Sequence, residues 1–152
     1  MKKRNFFLII IACWLLQATI LNSFRFFWVK PDLLLVCAVI AGIKFDLKWA
    51  LIFSLSCGLL KDCLGPQVFG FNTALFPLWS MLIVRLGRQV TFDTFYIRVA
   101  IVAIVVLAQN ILVGLALIYL GESVPLGIFT RIVFIECLYA TACYLPLDRM
   151  IR

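Results

Sequence analysis

The sequence predicts an all-α integral membrane protein built of six transmembrane helices. Three observations carry that prediction. The chain of 152 residues is 65% hydrophobic and 14% charged, whereas soluble domains run near half apolar and a quarter charged, so the excess needs lipid to absorb it. Its apolar residues fall into six runs, and Lys and Arg collect in alternate connections between them. No polar stretch is long enough to fold separately, so residues 1–152 are expected to form a single six-helix membrane domain.

The first run, "NFFLIIIACWLLQATILNSF", extends from about Asn5 to Phe24. Although "MKKR" precedes it as in a signal peptide, no small-x-small cleavage site follows, which makes it an uncleaved first helix. The aromatics and cations of "FRFFWVK" then read as an interfacial anchor. The second run goes from Pro31 to Lys44. Proline suits the first helical position and Asp32 the first turn, where the helix dipole favours an anion. The third and fourth runs are Leu47–Leu60 and Phe69–Val84; the fifth and sixth are Arg98–Gly121 and Val124–Leu147, a hairpin turning at Gly121–Glu122. A hydrocarbon core of about 30 Å needs roughly 20 helical residues. Runs one, five and six meet that length, while two, three and four require snorkelling flanks or a thinned bilayer.

Placing the N-terminus in the cytoplasm puts 10 Lys and Arg on the inside and 3 on the outside. That bias predicts an N-in, C-in topology. The net charge of +7 therefore reports orientation rather than nucleic-acid binding. The loop 85–98 carries Arg85, Arg88 and Arg98 among aromatics and is expected to lie on the anionic inner leaflet. Six cysteines without a C-x-x-C, and no histidine at all, supply neither a redox motif nor a zinc site. They read as small apolar packers. No Ser/Lys pair, paired carboxylates or phosphate-binding glycine loop is present, so an enzyme is not expected and no cofactor is implied.

Two polar groups remain to be explained. Asp62 closes the third helix, against the unfavourable negative end of its dipole, and Gly65-Pro66 stops the helix beyond it. Counting back by fours gives Gly58, Ser54 and Ala50, a small-residue seam of the kind that admits another transmembrane helix. The expectation is a partner's helix lying in that seam, with Asp62 at its mouth and Lys61, Lys30, Arg25 or a group on the partner as counter-charge. Deeper in the fold, the hairpin sets Gln109 opposite Glu136 and Asn110 opposite Ile135, with Arg131 about one and a half turns outward on another face of the helix. This cluster reads as interhelical glue, with a proton relay through Glu136 as the alternative.

The residues "KPDLLLVCAVIAG" and "GLLKDCLGPQVFGFNTALFPLWSMLI" resemble the rod-shape-determining MreD family of bacteria. Lys30, Pro31 and Asp32 match the family's Arg-Pro-Asn/Asp opening of helix two, with Lys in place of the common Arg. Gly58, Asp62 and Gly70 match its Gly-x-x-x-Asp followed by a glycine-bearing loop, and Lys61 beside Asp62 is unusual. The resemblance covers about a third of the chain. It implies a multi-pass, non-enzymatic component of the bacterial inner membrane, within the elongation machinery of lateral peptidoglycan synthesis. It also implies scaffolding of the bitopic protein MreC and, indirectly, contact with the actin-like MreB filament, the RodA glycosyltransferase and its transpeptidase. The implied fold is similar to the S components of energy-coupling-factor vitamin transporters. A small-molecule-binding S component is therefore the rival reading, although the Ala-x-x-x-Ala contact motif is missing; a proton-coupled transporter using Glu136 is the third.

Overall fold

The computed structural model describes residues 3–23, 32–64, 70–88, 95–121 and 126–151. Among them the chain is all-helical, in the order α1 (Lys3–Ser23), α2 (Leu33–Lys44), α3 (Leu47–Asp62), α4 (Phe71–Gly87), α5 (Phe95–Tyr119) and α6 (Leu126–Ile151). Each expected run corresponds to one helix. The largest shift is at 85–98: α4 continues through Arg85 to Gly87 and α5 already starts at Phe95, so half of the expected loop is helix. Both ends are extended because Arg and aromatic side chains are no obstacle to helical backbone.

The centre of the molecule is α2. Its sequence is apolar on every side, and nine consecutive residues, Leu34 to Gly42, are buried. A helix without a polar face has to be surrounded. Gly42 makes the close approach to α4 possible: a Cβ there would stand 3.2 Å from Ile83 Cβ and 3.3 Å from Ser80 Cα. One turn away, Ser80 Oγ donates to the Ala38 carbonyl at 2.9 Å, so the α2–α4 contact combines tight packing with a satisfied hydroxyl.

One end of the bundle is closed by aromatics. Phe6 of α1, Phe45 at the end of α2 and Phe53 of α3 form a triangle with ring centroids 4.9–5.1 Å apart. Tilted and edge-on rings at such distances contribute about 0.5–1.5 kcal/mol per pair beyond their burial. Toward the other end, Trp14 Nε1 donates to the Leu60 carbonyl at 3.2 Å and ties α1 to α3. Helices α5 and α6 form the expected hairpin. Phe129 lies over Gly114, where a Cβ would come within 2.3 Å of the ring, and Gly121 turns the chain with φ of 84°.

Three of the cysteines pack as small apolar residues: Cys13, Cys37 and Cys57 are buried free thiols, while Cys63 is exposed, and Sγ of Cys13 and Cys37 lie 3.7 Å apart. Of the six helices, α5 offers a segment, Tyr96–Tyr119, that is long and apolar enough to cross a membrane. Arg4–Thr19, Leu33–Lys44 and Phe71–Gly87 are apolar but shorter.

Candidate functional site

Asp62 is buried, with 5% of its surface exposed, and both carboxylate oxygens are directed at the start of α4. Oδ2 accepts from Gly70 N (3.0 Å), Thr73 N (2.9 Å) and Thr73 Oγ1 (2.6 Å). Oδ1 accepts from Asn72 N (3.2 Å) and Asn72 Nδ2 (2.8 Å). The geometry follows from Gly70, the N-cap residue of α4, whose φ of 96° is left-handed and suits glycine. A glycine cap has no side chain for the amides of the second and third helical residues, which are Asn72 and Thr73. Asp62 supplies that oxygen from the preceding helix. An acid unfavourable at the end of α3 is thus favourable at the positive end of α4. Among the described residues its counter-group is a helix N-terminus, and Lys61, one of the cations expected from the sequence, pairs elsewhere.

The seam leading to Asp62 is filled as well. Ala50 and Ser54 are fully buried. A Cβ at Gly58 would fall 2.6 Å from the Asn72 carbonyl oxygen and 2.7 Å from Thr73 Cα. At Gly58 the seam does admit a closely packed helix, but that helix is the chain's own α4. The expectation of a partner's helix in the furrow is corrected accordingly: Ala50, Ser54, Gly58, Asp62 and Gly70 build an internal joint.

From this joint a hydrogen-bond chain runs inward. Trp79 Nε1 donates to Gln109 Oε1 at 2.8 Å, and Gln109 Nε2 donates to Asn72 Oδ1 at 3.0 Å. Asn72 in turn donates to Asp62 at 2.8 Å. Indole can only donate and carboxylate only accept, so chemistry fixes the orientation of both amides between them. Each donor points toward the anion, an arrangement in which successive bonds strengthen one another. The chain joins α3, α4 and α5.

Asp32 has two roles beside it. It is the N-cap of α2, one position before the first turn in which the sequence places it, and accepts from Leu35 N at 3.2 Å. It also forms an ion pair with Lys61, whose Nζ lies 5.3 Å from the Phe76 ring centroid. The cation adjacent to Asp62 therefore serves Asp32. Pro31, Gly65 and Pro66 lie outside the described residues, as do Arg25 and Lys30.

The deeper cluster separates into two. Gln109 is buried and bonded to Trp79 and Asn72 of α4, while Asn110 lies beside Glu136. Adjacent residues point about 100° apart on a helix, so of the two candidates at the depth of Glu136 one turns to α4 and the other toward α6. Arg131 is exposed and belongs to neither group. The residues that sequence reasoning missed are Asn72, Thr73 and Trp79. The available signal was "GFNT": a glycine followed by two polar residues in the first turn of an apolar helix.

The assembled groups hold helices together, with their polar atoms engaged in one another. Among the described residues no group of three His, Cys, Asp or Glu could hold a metal ion. Comparison with protein families, curated proteins and solved structures finds no match for this chain.

Proposed function

We propose that this chain is an MreD-type scaffold of the bacterial inner membrane, spanning it six times with both termini in the cytoplasm. It holds an MreC-like bitopic protein within the machinery of lateral peptidoglycan synthesis. The MreB filament, the RodA glycosyltransferase and its transpeptidase are indirect partners, and the chain performs no catalytic step itself. One observation carries the reading: Gly58, Asp62 and Gly70, which carry the resemblance, converge on one α3–α4 joint in which each depends on the others. A shared sequence pattern with a purely architectural purpose fits a scaffold.

Two further features support the membrane setting. The outer helices expose large apolar side chains, among them Leu8 of α1, Leu55 of α3, Leu82 of α4, Ile111 of α5 and Phe134 of α6, a distribution suited to lipid or partner helices and not to water. The positive-inside bias of the connections supplies the orientation. With the seam occupied by α4, the partner meets one of these outer faces. Depleting the chain from its own cells should round them, and a tagged copy should co-purify an MreC-like protein. Cells that stay rod-shaped, with no such protein recovered, would overturn the reading.

A further inference from the structure

At the end of the bundle formed by the α2–α3 connection and the last turn of α4 lies an open cavity of about 530 Å³. Phe45, Leu47 and Val84 form its apolar wall, and Asp46, Lys48 and Arg88 its charged rim. A second hollow, about 340 Å³, runs along the outside of α4 and is lined by Leu78, Met81, Leu82, Arg85 and Leu86. Arg85 lines the apolar groove and Arg88 the polar cup; three residues apart, the two are neighbours on the helix surface. Lys48, Arg85 and Arg88 are exposed, and among the described residues none is paired with a carboxylate. Among the described residues Asp46 is the single acid on the rim.

We propose that cup and groove together bind one anionic phospholipid of the inner leaflet, its phosphate between Arg88, Arg85 and Lys48 and an acyl chain along Leu78, Leu82 and Leu86. Three cations against one carboxylate leave the cup net positive. Guanidinium groups pair with phosphate oxygens through two parallel hydrogen bonds, and basic clusters on the cytoplasmic side of membrane proteins favour anionic headgroups. The apolar groove selects a tailed ligand over free phosphate, because a soluble anion fills the cup alone and leaves the leucines uncovered. This site rests on the membrane reading above, which places the ends of α2 and α4 at the cytoplasmic surface.

The test is native mass spectrometry of the full chain in neutral detergent, offered phosphatidylglycerol and phosphatidylcholine of matched chain length. The expected result is retention of the anionic lipid at least about fivefold over the zwitterionic one, roughly the effect of a single Lys or Arg beside an anionic headgroup. The preference should fall with added salt. It should vanish in the triple variant Lys48→Gln, Arg85→Gln, Arg88→Gln and persist in Arg131→Gln, and glycerol phosphate should not displace the lipid. Equal retention of both lipids by the wild-type chain overturns the site, and so does displacement by glycerol phosphate, which would mark a soluble phosphate ligand. Should the triple variant not fold, the wild-type competition and its salt dependence decide. Alkaline carbonate washing of membranes separates the two layers of inference: a chain that resists extraction but shows no preference loses the lipid site alone, whereas an extracted chain loses the membrane reading.

Discussion

At the scale of single residues, Asp62 carries the most consequence. Its five acceptor contacts serve the buried amide and side chain of Asn72 and the half-buried donors of Gly70 and Thr73. Asp62→Ala is expected to lower stability by about 2–4 kcal/mol, combining a lost helix cap with stranded buried donors. Asp62→Asn keeps one acceptor oxygen and should lose roughly half as much; thermal unfolding in detergent reads both. Lys61 is a separate case, because it neutralises Asp32, which is 3% exposed. Lys61→Met should cost about 3 kcal/mol by leaving that carboxylate buried and unpaired. The double variant with Asp32→Asn should recover part of the loss, and a double-mutant cycle giving no coupling between the two positions would contradict the pairing.

Among the helices, the joint between α3 and α4 depends on backbone-to-backbone proximity at Gly58. Any side chain there meets main-chain atoms of Asn72 and Thr73, which cannot rotate away. Gly58→Ala should therefore destabilise by about 1–3 kcal/mol through overpacking, whereas an alanine at exposed Gly127, with open space around it, should leave the melting temperature within error. Between α4 and α5 the connection is Gln109, not Asn110. Gln109→Leu should cost about 1 kcal/mol, the scale of hydrogen bonds between helices in lipid, and should accelerate amide exchange in the first turn of α4. The same elements mark how far the sequence could be read. The helices, their order and the small-residue face of α3 were legible because apolar runs and spacing by fours are local properties. The occupant of that face was not, since a Gly–Ser–Ala stripe admits the chain's own helix as readily as a foreign one. Nor was the choice between Gln109 and Asn110, which depends on a rotation of about 100° that the hairpin's length alone does not set. Asp62 looked misplaced because only its own helix was considered; the explanation lies eight residues on, in a glycine that cannot cap α4 for itself.

At the scale of the molecule, α2 is enclosed, α3 and α4 are fastened to each other by the joint, and apolar side chains face outward from the surrounding helices. That division separates stability from assembly. Variants inside the joint should act through folding, and a partner should be felt on the outer faces, such as the stripe Ile52, Leu55 and Leu59 of α3, all roughly half exposed. The most direct test places a photoreactive residue at one position at a time in growing cells and identifies the adducts. An adduct with an MreC-like protein is expected from outward positions such as Leu55, Ile111 or Phe134, and none from Ser54, which is fully buried. An adduct from Ser54 would show that the furrow opens to a foreign helix, and silence from every outward position would contradict the scaffold itself.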